Sequence, residues 1–384
     1  MKVLHLPYNI ASQVSITVRA LRAVGVPARG LARKVSAVQD DSEIETVTWF
    51  GRPSPVARLA RGIRWRLKLI RAMAWADVLH WHWGDTTWRG IDLRIAAWLR
   101  KPRLVEFWGD DLRDPKTASR DNPFIARMYE LHPDLVNERT RAAQSMFRRH
   151  GFEALIPGYE LADYLDPACF RGYYQTRACL MLEDYAPQFP DPLKQRPLLV
   201  HAPSNKSRKG TEALQEVLGQ LSGSYDFDFK LVHQIARPEA LAMIAQSDIF
   251  LDQFTIGAEG LASHEAMALG KPVVCFIKNS LRRRYPASLP IVMADQPSLG
   301  AAIADLLRDG PRRRELGARG REYMETFHDA RKVALELADI YRDLVSRASG
   351  NGESDAGSSC RHWRSLAAEN LGSLDPRQAE PCVP

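Results

Sequence analysis

The chain has 384 residues, 45% of them hydrophobic and 26% charged, with a formal net charge of +7. That length suits two domains of about 150 residues each better than one core, and the apolar share is enough to fill both. No segment reaches membrane-spanning length, and MKVLHLPYN at the amino terminus lacks the apolar run of a signal peptide. The five cysteines (Cys169, Cys179, Cys275, Cys360, Cys382) show no CxxC pairing, which argues against a zinc finger or disulfide scaffold and for cytoplasmic residence.

Apolar strand-like runs alternate with helical patterns, the signature of an α/β protein with parallel sheets. In the first half, Lys2 to Pro7 reads as a strand and Val14 to Val24 as a helix. Thr46 to Phe50 reads as a strand, followed by a helix over Arg58 to Trp75. Strands are expected at Asp77 to His82 and Arg103 to Trp108, separated by an amphipathic segment, Ile91 to Leu99. A long helical region follows, from about Pro123 to His150. Gly158 to Pro197 is poor in periodicity and rich in proline, so it is expected to be the passage between domains.

A second alternation begins with a strand at Leu198 to His201 and a helix at Thr211 to Leu221. It continues with strand Phe227 to His233, helix Pro238 to Ala245 and strand Asp248 to Asp252. A short strand at Ile291 to Met293 precedes helices at Leu299 to Leu307, Arg312 to Phe327 and Ala330 to Val345. The composition then shifts to Gly, Ser and Asp, and Ser349 to Pro384 is expected to be mostly disordered, because it cannot bury enough apolar area to offset ordering entropy.

The helix of Arg58 to Trp75 carries Arg58, Arg61, Arg64, Arg66, Lys68 and Arg71. A basic amphipathic helix suits an anionic membrane surface; the plainer reading is a solvated face. No nucleic-acid-binding motif accompanies the charge.

The richest stretch is LDQFTIGAEGLASHEAMALGKPVV. A buried strand ends at Leu251, a loop holds Gly257 and Gly260, and a helix carries Glu265. Gly270-Lys271-Pro272 then stops the helix before a second strand, Val273 to Ile277. Free amides and the dipole at such a helix N-terminus attract an anion, and a carboxylate further along accepts bonds from ribose or sugar hydroxyls. His264 reads as a packing or capping residue. A second loop, HAPSNKSRKGT, follows a strand and offers Lys206, Arg208 and Lys209 before Gly210, a cationic setting for a diphosphate without the Walker A spacing. In the first half, HWHWGD and EFWGDDLR each end a strand with aromatic rings beside a Gly-Asp, which suits sugar stacking or a buried layer. A metal site built on His80 and His82 lacks further ligands in the neighbouring sequence.

These segments resemble the retaining glycosyltransferases of family 4, the group 1 glycosyltransferases. MKVLHLPYNIASQ is similar to the family's first strand and acceptor loop, HAPSNKSRKG to its diphosphate-binding loop, and GLASHEAMALGKPVV to its EAMAxGxPVV segment. Gly317, Gly320-Arg321, Tyr323 and a terminal helix with Tyr341 also fit the pattern, and the likeness covers residues 1 to about 347. It implies the GT-B fold, with two Rossmann-like domains of parallel strands facing a cleft and a C-terminal crossover helix. The implied domains are an acceptor-side domain over 1–185, a donor domain over 193–328 and a crossover helix over 329–347 that packs back on the first, followed by the tail of 348–384.

The same resemblance implies metal-independent, cofactor-free transfer of a sugar from a nucleoside diphosphate to a hydroxyl of a glycan or lipid-linked glycan, with retention, as in polysaccharide biosynthesis. Catalytic roles fall on Lys209, Glu265 and Asp111. Donor binding falls on Ser204, Asn205, Lys206, Arg208, Gly210, Gly257, Ala258, Glu259, Gly260 and Leu261, and the acceptor side on Asn9, Gln13, Trp108 and Gly109. Apart from the resemblance, peripheral contact of the basic helix with the anionic inner membrane surface is the alternative to its plainer reading as a solvated face.

The chain departs from the family pattern at three places. Gly257 stands where the first Glu of E-x7-E is expected, Pro203 where a basic residue is expected, and Trp108 where an HGxD-like motif has His. These changes imply a divergent or an inactive branch, so a non-catalytic nucleotide- or glycan-binding protein is the alternative, with a sugar-nucleotide epimerase after it.

Overall fold

A computed structural model of the chain describes residues 1–34, 39–48, 54–349 and 363–365. It divides into two compact units. Unit 1 comprises residues 1–114, 137–179 and 330–384, and unit 2 comprises 115–136 and 180–329.

Among the described residues, unit 1 is built on seven parallel strands: β1 (Val3–Leu6), β2 (Ala28–Lys34), β3 (Glu45–Thr48), β4 (Val78–His82), β5 (Arg103–Glu106), β6 (Glu153–Ile156) and β7 (Gly172–Gln175), in the order β7-β6-β5-β4-β1-β2-β3. Every residue of β1 and β4 is buried, as expected of central parallel strands covered on both faces. The chain runs outward from β1 through β2 to β3, then returns to β4 on the other side, so the sheet's switch point lies between β1 and β4. The last helix, Ala330–Ala348, belongs to this unit. Its Glu336 pairs with Arg177 at 2.7 Å, and its Asp343 accepts a bond from the Tyr174 hydroxyl at 2.5 Å.

Unit 2 has five parallel strands: β8 (Leu198–His201), β9 (Asp228–Leu231), β10 (Ile249–Leu251), β11 (Val273–Cys275) and β12 (Val292–Met293), in the order β12-β11-β10-β8-β9. Leu199, Ile249, Leu251 and Val274 from the strands meet Leu214, Leu299, Ile303 and Leu306 from the helices in one core. The chain leaves β8 to one side and returns to β10 on the other, so the switch point here lies between β8 and β10.

Several sequence expectations need correction. Strands β2, β6 and β7 escape the reading, because ARGLARK, EALI and GYYQ offer no run of β-branched residues. β7 falls inside 158–197, which was expected to be irregular. The helical region expected over 123–150 is two helices, Pro123–Leu131 and Thr140–Arg149. Pro133 separates them: it has no N–H to donate, and it disfavours helical backbone at His132, which has φ −133° and ψ 70°.

The segment 115–136, expected in the first domain, clusters with unit 2. Asn122 Nδ2 donates to the carbonyls of Thr255 and Ile256 at 2.8 and 2.9 Å, and Asp121 holds Lys278 at 3.0 Å. Within the tail expected to lack structure, Trp363–Ser365 forms a strand, β13, antiparallel to β7. Trp49, Phe50, Cys360 and Cys382 lie outside the described residues.

Candidate functional site

The loops after β8 and β10 meet at the switch point of unit 2. After β8, Asn205 accepts a bond from the Arg208 amide at 2.9 Å and caps the single helical turn Lys206–Lys209, which Gly210 closes with left-handed backbone. This delivers Lys209 to the strand ends. Its ammonium lies 2.8 Å from Asp252 Oδ1, at the end of β10. Asp252 Oδ2 accepts bonds from the Gly260 amide at 2.8 Å and the Ser263 hydroxyl at 2.6 Å. Asp252 is buried, a position that by itself disfavours its charge, yet the adjacent Lys209 and these donors hold its carboxyl below the usual range.

Gly260 is the N-cap of the helix Leu261–Ala268. A Cβ there would sit 2.6 Å from the Lys209 ammonium, so only glycine lets lysine approach the cap this closely. Glu265 lies five residues on, about one and a half turns or roughly 7–8 Å along the axis. Lys209 and Glu265 are therefore anchored at the same short helix.

Glu265 is held in a second network. Its Oε1 accepts from Arg237 at 2.6 and 3.1 Å and from the Tyr185 hydroxyl at 3.4 Å, while Arg237 also reaches that hydroxyl at 2.6 Å. Asp252, Ser263, Arg237 and Tyr185 were missed by sequence reasoning. Asp252 carried a usable signal as a lone carboxylate at a strand end. Arg237 and Tyr185 carried none, since 52 positions separate them.

The remaining donor-side residues lie as follows. Ser204 and Lys206 are exposed, and Arg208 donates to the Leu135 carbonyl at 3.0 Å. Gly257 has φ +87°, and a Cβ there would come within 2.4 Å of Lys278 Cγ; the lysine stem fills the space in which a side chain would start. The Ala258 carbonyl accepts from Gln253, Leu261 opens the helix, and Glu259 is bonded by Tyr285 with His264 Nε2 at 3.7 Å. His264 packs on His328, with ring centroids 4.3 Å apart.

In unit 1 the expected acceptor-side residues are bonded to other parts of the same unit. Asn9 Oδ1 accepts from the Val14 amide at 3.0 Å, and Gln13 pairs with the backbone of Cys179. Asp111 is buried and accepts from the amides of Gly84, Trp108 and Gly109 at 2.8 to 3.0 Å, tying the β4 and β5 loops together. Burial pushes its carboxyl up to about 6, although those amides favour the charged form. Trp108 Nε1 lies 3.3 Å from His82 Nδ1. His80 and His82, without further ligands in their own segment, are joined by His5 from β1. Among the described residues this trio is the group of His, Cys and acidic side chains spaced to hold a metal ion.

Two parallel sheets, each with a switch point, and a final helix assigned to the first unit define the GT-B class of glycosyltransferase folds. The chain is similar in fold to sucrose-phosphate synthase from Thermosynechococcus elongatus (TM-score 0.61, 15% identity, 90% of this chain and 100% of that one). It is similar also to WaaG, a glycosyltransferase involved in lipopolysaccharide biosynthesis (TM-score 0.55, 14% identity, 89% and 99% covered). Anabaena HepE, solved in complex with UDP-glucose, matches with a TM-score of 0.51 at 13% identity over 89% of this chain and 100% of that one. No protein-family model and no curated protein sequence matches the chain.

Proposed function

We propose that the chain is a glycosyltransferase of family 4 type, moving a sugar from a nucleoside diphosphate to an acceptor hydroxyl of a glycan or lipid-linked glycan with retention of configuration. The observation that carries this reading is the Lys209 ammonium held at Gly260, where strand ends and a helix N-terminus converge. As the bond to the sugar breaks, negative charge grows on the diphosphate. Lys209 and the amides opening the helix stabilise it electrostatically, with no metal in this step. Glu265, oriented through Oε1 by Arg237, presents Oε2 to the ribose hydroxyls. The acceptor proton passes to the leaving phosphate oxygen on the same face of the sugar.

In this reading the acceptor binds in unit 1, and contact with an anionic membrane is supported by the helix Pro55–Trp75. Val56, Leu59, Ile63, Leu67 and Ile70 form an exposed stripe at helical spacing, Val56 being 77% exposed. Arg64 and Arg71 flank it on one side and Arg66 on the other, with no acidic residue in the helix. Apolar area with arginines at its margins suits the headgroup boundary of a cytoplasmic leaflet.

A second reading, binding without turnover, is favoured by Gly257, whose side-chain space is taken by Lys278. Thermal shift against UDP-, GDP-, ADP- and dTDP-sugars, followed by transfer and donor-hydrolysis assays on those that bind, separates the two. Transfer is the expected outcome; binding without transfer or hydrolysis supports the second reading, and failure to bind any nucleotide sugar removes both.

A further inference from the structure

At the switch point of unit 1, three imidazoles and a carboxylate share one buried space. His5 lies on β1, His80 and His82 on β4, and Glu106 ends β5; the three histidines are wholly inaccessible and Glu106 nearly so. The parallel register sets His5 beside His80 and His82 beside Glu106, so alternation puts all four on one face of the sheet. Tyr341, from the helix Ala330–Ala348, closes that face with its hydroxyl 2.7 Å from His80 Nδ1.

Hydrogen bonding alone cannot satisfy this cluster. A neutral imidazole has one N–H and one lone pair. The Tyr341 hydroxyl can donate to His80 Nδ1, which leaves the His80 Nε2 proton facing Glu106 Oε2 at 3.1 Å. His82 Nδ1, however, faces that same Oε2 at 3.1 Å and the Trp108 N–H at 3.3 Å, so it would need to be donor and acceptor at once. His82 Nε2 and His5 Nδ1 face each other at 2.9 Å and share a single proton between two buried ring nitrogens. Buried polar atoms left in this way cost free energy.

We propose that His5, His80 and His82 bind one divalent cation of the zinc type, with Glu106 as the carboxylate that orients and neutralises the site. Neutral imidazoles are the donors such ions select. One donor nitrogen from each ring falls within 4.8 Å of the other two. Tetrahedral coordination at ~2.0–2.1 Å per bond separates donor nitrogens by about 3.3 Å, so the facing His5 and His82 nitrogens need to part by only a few tenths of an ångström. The ion takes the place of the proton they share. Glu106 on the far nitrogen of His82 gives the carboxylate–histidine–metal arrangement that fixes a ligand's orientation. The site ties β1, β4 and β5 together within unit 1, apart from the residues proposed for the donor, which all belong to unit 2.

The test is the metal content and cobalt spectrum of the full chain. Protein is purified with zinc supplied, dialysed against metal-free buffer and analysed by mass spectrometry. A second sample is unfolded with chelator and refolded with Co²⁺. One tightly held metal per chain and the intense visible bands of tetrahedral Co²⁺ are expected. Both should be lost in His82→Gln and retained in the surface variant His150→Gln. Because a histidine variant can fail to fold, Glu106→Gln is the decisive comparison: folded by circular dichroism, it should bind zinc about ten- to a hundredfold more weakly. A wild-type chain without stoichiometric metal, or metal binding unchanged in Glu106→Gln and His82→Gln, overturns the proposal. These readouts are independent of sugar transfer.

Discussion

The Lys209 ammonium lies 2.8 Å from Asp252 Oδ1, and the other oxygen of that carboxylate bonds the amide of Gly260 and the hydroxyl of Ser263. One buried carboxylate thus fixes both the cation and the helix terminus that are proposed to meet the diphosphate. The pairing also makes the cation's structural and ligand-binding roles separable by mutation.

Lys209→Met leaves Asp252 charged, buried and unpaired, which is expected to destabilise unit 2 by roughly 3–5 kcal/mol. Adding Asp252→Asn removes that charge and should restore most of the melting temperature. It should not restore affinity for a nucleoside diphosphate, measured by calorimetry. If the double variant binds the diphosphate as the wild type does, Lys209 is not its ligand.

Glu265→Ala should weaken nucleotide-sugar binding about ten- to a hundredfold, the loss of charge-assisted bonds worth ~1.5–3 kcal/mol. A donor whose ribose lacks its hydroxyls should bind wild type and variant alike. Equal losses for both donors would instead assign the effect to the released Arg237.

Gly257→Glu supplies the first carboxylate of the E-x7-E pattern that the chain lacks, yet it should not raise the rate of transfer. Its Cβ would overlap the Lys278 stem, and its φ of +87° strains any L side chain, so a loss of about 1–3 kcal/mol is expected. Higher turnover at an unchanged melting temperature would contradict this geometry.

Asp111 titrates near 6 when folded, above its value in the unfolded chain. The folded state therefore holds the Asp111 proton more tightly. The stability this lends is fully present below pH ~4 and lost as pH rises through about 6, a change on the order of 2–3 kcal/mol. The melting temperature of Asp111→Asn, which carries no such proton, should gain on the wild type between pH 4 and 7. A difference that stays flat over this range would show that the carboxyl titrates elsewhere.

Replacing Leu59 and Leu67 together by Asp should abolish co-sedimentation with anionic vesicles while leaving the fold intact, because both side chains are exposed. Wild-type protein that fails to sediment with anionic as with neutral vesicles would reject the membrane contact.

The alternation of strand and helix was legible because period-2 and period-3.6 patterns are local, and so was the strand–loop–helix unit around Gly260 and Glu265. Strands β2, β6 and β7 were not, since ARGLARK, EALI and GYYQ join the sheet through burial between neighbours rather than by propensity. Asp111 was singled out through the family resemblance; that its three amide donors, one of them 27 positions away, tie two loops together was not legible locally.

The sequence by itself determined the kind of element at each place and the residues that punctuate it: the lysine before Gly210, the glycine that caps the helix, and the Gly-Lys-Pro that ends it. Only the tertiary structure decided partners distant along the chain. Asp252 reaches Lys209 across 43 positions, Arg237 reaches Glu265 across 28, and His5 reaches His82 across 77. Local propensity acts over a few residues, whereas strand order and parallel register are chosen by burying whole faces at once, and that choice brings these groups together.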